Sequence, residues 1–515
     1  MRFTLGLLAT LIAPLPGQQS LGTIDFPNSG SPIAQPAFLK GVLLLHSFEY
    51  EDAALAFREA QAADPGFAMA YWGEAMTYTH PLWNQQDLAA ARAVLARLGA
   101  TAEARQARAG TERERGYLDV AEALYSTDAP KARRDTLCAA ALERLLQRAP
   151  QDDDARAFYA LWLMGLSQGI RNVATYMRAG AIAEDIHRRT PKHPGALHYI
   201  IHAFDDPVHA PLGLHAAREY STIAAGADHA QHMTTHIFLA LGMWPETVRQ
   251  NVIASGSDSA NWKAGHYTSW MDYGLLQLGR HRDARRHWLL ERASLAGAST
   301  AWIQGALLTM RAHYLINSEQ WDDSIVRLAV AAPQAGVIPR AMDAFALGLA
   351  ARRRGNLAAA QASLVILKVL ARTLEGDTSY VGNRRVPGVL AIELEAELLR
   401  QAQHGDEAVA RLRAVTKEED AFPAEFGPPD IVKPTHELLG EILLDLKRPV
   451  EAVAEFTRAL ELAPGRSLAL LGLVRAARAG GDMAAADRAL EQLGRNWEAA
   501  DPDALAALGQ LRAGR

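Results

Sequence analysis

The chain has a single cysteine, Cys138, in 515 residues. That excludes an internal disulfide and any zinc site built on several thiolates. The residue reads as a buried, inert thiol. Charged residues make up 22%, with a net charge of −5, and the sequence pI is near 6.4. So even a balance leaves no electrostatic footprint for nucleic acid. After Ala13 no apolar run approaches the ~20 residues that a membrane span needs. No segment alternates apolar and polar residues as a half-buried strand does. No G-x-S-x-G, Walker or dinucleotide-binding glycine pattern stands in a strand–helix setting, so no hydrolase elbow or nucleotide loop is expected.

Two features of the N-terminus stand out. Arg2 precedes the apolar run Phe3–Ala13, and a Pro/Gly break follows. This pattern predicts a signal peptide over 1–17, and hence an exported chain, periplasmic or secreted. A buried N-terminal helix is the other reading. Residues 18–35, rich in Gly, Ser and Pro, read as an extended lead-in.

A chain this long is either several domains or an elongated array, and here it repeats. Gly41, Ala53, Phe57, Ala60 and Pro65 align with Gly440, Ala452, Phe456, Ala459 and Pro464, at identical intervals of 12, 4, 3 and 5 residues. Small residues let two helices approach, the large one fills the gap between units, and the proline stops the second helix. Gly348, Ala360 and Leu364 repeat the pattern. It resembles the tetratricopeptide repeat (TPR), two antiparallel helices in about 34 residues. The resemblance implies an all-α, right-handed superhelical solenoid over 36–515, with roughly eleven or twelve helical pairs, degenerate between about 100 and 190. The stretches AMAYWGEAMTYTHPLW, HYIIHAFDDP, HMTTHIFLALGMW and EFGPPDIVKPTHELLGEILL also resemble a His-rich subgroup of exported bacterial TPR proteins. That likeness implies no particular reaction.

Five of the seventeen histidines sit in two short segments, His198 and His202 in one and His229, His232 and His236 in the other. Offsets of three, four and seven residues put them on one helical face. In the repeat family, unit positions two, five, nine, twelve and thirteen project into the concave groove. With a unit starting at Pro194, His198, His202, Asp205 and Asp206 take such positions. With the next starting at Asp228, so do His229, His232 and His236. Imidazoles in i,i+4 pairs from two neighbouring helices suit a divalent transition metal: zinc, copper or iron. The expected ligands are His198, His202, His232 and His236, with Asp205 and His229 as auxiliaries. His46, Trp72, His80, His266, Tyr273 and His313 also fall on groove positions and are candidates for contacting a ligand there.

The sequence thus predicts a metal site that binds the ion or uses it on a groove-bound molecule. The other reading is a non-catalytic scaffold holding a peptide, protein or small molecule in the same groove, with Trp72, Tyr273 and His232 as contacts. Asp205, Asp206, Asp272 and the more distant Glu74 are the candidate acids or bases should there be catalysis. Glu437 and Glu441 lack the second histidine of a helical zinc-protease motif and read as groove polarity. His209 and His215 read as structural. The loop Glu425–Pro434 reads as a connector that could lip over the groove.

Overall fold

The structure, a computed structural model, describes residues 20–167, 169–256, 265–294, 300–376, 383–423 and 426–514. The expected signal peptide lies outside them. Among the described residues the chain forms 25 α-helices and one ribbon of two residues per strand, Thr79–His80 with Gln85–Gln86. Each helix packs on its successor, starting with the pair Gln35–His46 and Tyr50–Ala63. The result is an all-α solenoid of TPR-like helix pairs. The stretch from about 100 to 190 holds the short helix Ala102–Gln106 and two pairs, Glu112–Tyr125 with Lys131–Arg148 and Asp153–Leu166 with Val173–Arg189. No described helix is long and apolar enough to cross a membrane.

The packing explains the repeat. Phe57 is fully buried and lies between Gly41 of its own unit and Gly73 of the next. A Cβ at these glycines would stand 2.8 Å and 2.3 Å from the ring. Near the C-terminus Phe456 lies between Gly440 and Gly472 in the same way, at 2.9 Å and 2.2 Å. One aromatic ring thus wedges two first helices together, and burying it contributes roughly 2–3 kcal/mol.

Two long-range features close the solenoid. The lead-in is extended, and it crosses the early units in reverse order. Gly226 N donates to Ser20 O, Thr23 N to Lys192 O, Ser29 N to Glu114 Oε1 and Ser31 N to Asp64 Oδ2. Phe26 is buried midway along it. At the other end the late repeats fold back on the middle of the chain. Trp244 Nε1 donates to Gly465 O at 2.9 Å, Arg466 Nη1 to Tyr273 Oη at 3.1 Å and Ser467 N to Gln277 Oε1 at 3.0 Å. Gly242, with φ +68°, presses on Pro464 O so closely that a Cβ would stand 2.4 Å away.

Candidate metal centre

Two helices carry the histidines. Pro194–Ala203 starts with proline in its first turn, and His193 Nδ1 accepts the Ala196 N–H as its cap, so the missing proline donor costs nothing there. Asp228–Ala240 starts where the Glu49 carboxylate, from the first unit, accepts the His229 N–H at 2.8 Å. The rings project into a common space. Their centroids form a closed circuit: His198–His202 4.8 Å, His202–His236 5.8 Å, His236–His232 5.0 Å, His232–His229 5.9 Å and His229–His198 5.3 Å. His266, at the start of the next unit's first helix, stands 4.6 Å from His232.

The outward nitrogens of three rings are tied down. His198 Nδ1 donates to the His46 carbonyl at 2.7 Å. His232 Nδ1 donates to Asn251 Oδ1 at 2.8 Å. The Asn251 amide is oriented for this, since its Nδ2 donates to Thr235 Oγ1 and Thr247 O. His236 Nδ1 donates to Asp205 Oδ2 at 2.5 Å. With Nδ1 donating, Nε2 is the atom that carries the lone pair in the neutral form of each ring, and those atoms face inward. His198 Nε2 is 3.1 Å from His202 Nε2, and His232 Nε2 is 3.2 Å from His236 Nε2. His229 Nε2 is buried and finds no hydrogen-bond partner among the described residues. Imidazoles fixed through the second nitrogen by a carbonyl, amide or carboxylate are the arrangement that orients metal-binding histidines.

One atom from each of His198, His202 and His229 lies within 4.8 Å of the others. Neither His232 nor His236 joins that trio, although the sequence reading put all four paired imidazoles on one ion. Asp205 lies behind His236, as its hydrogen-bond acceptor.

The rings are in the core. His198 and His232 are 0% exposed, His236 3%, His202 6% and His229 7%. The groove positions are therefore filled, not open to solvent. Phe48, forced to φ +58° in the first inter-helix turn, puts its ring 4.3 Å from His198, 5.7 Å from His202 and 5.6 Å from His229. Trp270 packs on His236 at 4.4 Å and on His232 at 4.8 Å. Phe426, at the start of the loop that enters the helix Thr435–Asp445, lies 5.6 Å from His236. Burial makes the charged imidazole costly. It pushes His198 down to about 3 and holds His202, His229 and His232 well below the usual histidine range. Neutral rings with free lone pairs are the form that binds a metal.

The other candidates lie elsewhere. Trp72 is in the core beside Phe26, Tyr117 and Phe158. His80 stacks on Tyr50 at 3.9 Å. Tyr273 and His313 pack on each other, and Tyr273 meets Arg466. Asp206 pairs with Arg171 and His209, Asp272 with His287, Glu74 with Arg58 and Arg97, and Glu437 with Arg466 and Lys433. Glu441 also meets Lys433. His215 bonds Leu212 O and Glu184. Cys138 is buried, and burial raises its thiol well above the ordinary range, so it is a poor nucleophile. Sequence reasoning missed Phe48, Asn251 and Trp270. Asn251 carried the one available signal, a polar residue where a second helix packs inward.

A second buried group, His46, Asp154 and His193, also has ligand atoms within 4.8 Å of one another. Its hydrogens are placed differently. His193 Nδ1 accepts the Ala196 N–H, so the ring hydrogen is on Nε2, directed at Asp154 Oδ1 at 3.4 Å. His46 Nε2 meets the same oxygen at 3.1 Å, and its Nδ1 meets Tyr199 Oη. Burial would push Asp154 up, but the bonds from His193 and His46 outweigh it and hold the carboxylate below its usual range. This group is a hydrogen-bonded node with no spare imidazole lone pair from His193. It supports the main centre through the His46 carbonyl.

No family model and no curated protein matches the chain. Among solved structures it is similar to the TPR domain of P58(IPK), at 11% identity over 93% of this chain and 97% of that one, with a TM-score of 0.22. So low a score leaves the fold to rest on the helix pairing itself.

Proposed function

We propose that this TPR-like solenoid holds a transition-metal centre in its core, built on His198, His202, His229, His232 and His236. One observation carries the reading: three of these rings have Nδ1 committed to fixed acceptors, which turns each Nε2 toward a neighbouring imidazole in a buried, aromatic-walled space. An all-imidazole set suits copper or zinc, and iron with less preference. Asp205 orients His236 and supplies the nearest negative charge. A cavity of about 200 Å³ lined by Asp205, Trp244, Tyr273, Phe426 and Pro464 adjoins it. That is where a small, largely apolar molecule would meet the centre. A peptide lying along the groove has less support, because its expected contacts Trp72, Tyr273 and His232 are buried.

The test is elemental analysis of purified protein, before and after reconstitution with zinc, copper and iron. A stoichiometric metal that a His198→Ala/His232→Ala variant fails to hold is the expected result. Protein without metal after every reconstitution would refute the reading. We propose further, on the N-terminal residues alone, that the chain is exported. N-terminal sequencing of the mature protein should begin shortly after residue 17, and an intact Met1 would oppose export.

A further inference from the structure

The histidine circuit divides into two half-sites. Two nitrogens bound at about 2.0–2.1 Å to one tetrahedral ion lie about 3.3–3.4 Å apart. The His198–His202 pair, at 3.1 Å, and the His232–His236 pair, at 3.2 Å, both come close to that edge length. The outer nitrogens of the second pair are held by Asn251 at His232 and by Asp205 at His236, so both Nε2 atoms of that pair are aimed at each other.

A single ion cannot serve every ring. Nitrogens sharing one ion at about 2.1 Å are at most about 4.2 Å apart. The mutually close set stops at His198, His202 and His229. His232 and His236 belong to a separate cluster that His266 approaches at 4.6 Å between ring centroids.

We propose that the centre binds two transition-metal ions, one on His198, His202 and His229 and the other on His232 and His236, with His266 beside it. This rests on the metal reading above and adds the number of ions and the division of ligands. The half-sites meet where His202 faces His236 and His229 faces His232, at 5.8 Å and 5.9 Å between centroids. That leaves room for ions separated by the ~3.5–4 Å of two-metal sites. The donors of both half-sites are imidazoles, and Asp205 is the carboxylate bonded to one of their rings. A low total charge is favoured in so buried a space, which favours cuprous copper over zinc.

The test is a titration of metal-free full-length chain with Cu(I) in one arm and Zn(II) in the other, reading bound metal per chain after desalting. Two ions per chain in either arm, and one in a His232→Gln/His236→Gln variant, is the expected outcome. X-ray absorption on the loaded wild type should show a metal–metal vector near 3.5–4 Å, a readout that needs no variant. Saturation of the wild type at one ion in both arms overturns the two-ion proposal but keeps the metal reading. No binding in either arm overturns the two-ion proposal, and none after reconstitution with iron as well overturns the metal reading too. Helical circular dichroism of the variant separates a lost half-site from a lost fold. If the variant does not fold, the wild-type stoichiometry and the metal–metal vector decide.

Discussion

Asp205 leaves the end of one histidine helix and fixes a ring on the next, its Oδ2 accepting from His236 Nδ1 at 2.5 Å. The bond sets the tautomer and aims the lone pair at His232. Asp205→Asn keeps the shape but removes the charge, and its amide can present a donor that would move the ring hydrogen to Nε2. Metal affinity should fall about 10–100-fold. Competition against a chelator of known affinity measures it, with the melting temperature as control. Unchanged affinity would mean that Asp205 does not act on the centre.

The spacing of the histidines was legible in the sequence, because i,i+4 offsets survive any helical context. The repeat frame also placed the two helices next to each other. Burial was not legible, for it depends on contacts far apart in sequence. Glu49 and Phe48 reach residues near 198 and 229, and Gly465–Ser467 reach 244–277. The repeat pattern records helix pairing only, so it presents an open groove where closure makes a core. Tautomers were invisible for the same reason, since Asn251 and the His46 carbonyl come from elements outside both motifs.

The buried imidazoles make stability depend on pH. His46 is pushed down to about 4 and His198 to about 3, both by burial, from 6.5. The unfolded chain therefore takes up protons first as the pH falls below 6.5. Their contribution is complete above that pH and is lost as the pH falls from 6.5 to about 4 for His46 and about 3 for His198, at about 1.4 kcal/mol for each pKa unit separating the two states. Asp154, held low in the folded state, adds a further loss only in the ordinary carboxylate range. Urea midpoints of metal-free protein should be level from pH 7 to 8 and fall steeply below 6.5. A level profile down to pH 4.5 would contradict the buried neutral rings.

The phenylalanine wedge predicts a contrast among glycines. A Cβ at Gly73 would stand 2.3 Å from Phe57, and one at Gly472 2.2 Å from Phe456, whereas one at Gly509 meets nothing within 4 Å. Gly73→Ala and Gly472→Ala should each destabilise by about 1–3 kcal/mol through overpacking. Gly509→Ala, inside the helix Pro502–Arg512, should stabilise by up to about 1 kcal/mol. Urea denaturation of the three variants tests the ranking, and equal effects would remove the wedge as the reason for the glycines.

The return of the late repeats onto the middle of the chain turns on Arg466. Its side chain is 0% exposed and bonds Glu437, also 0% exposed, with Nε to Oε2 at 2.7 Å. It also reaches Tyr273, which belongs to the unit following the histidine helices. Arg466→Met removes the cation and leaves the buried Glu437 carboxylate with only Lys433 at 3.1 Å. Stranding a buried charge in this way costs about 3–5 kcal/mol. The double variant Arg466→Met/Glu437→Leu removes both charges and should recover much of that loss, though not the bond to Tyr273. If the contact holds the solenoid closed, the single variant should show a larger radius of gyration by small-angle scattering and faster proteolysis between the middle and late repeats. A variant that lost stability but kept its radius and its cleavage pattern would make Arg466 a local core residue, and closure would then rest on Trp244 and the Gly242–Pro464 contact.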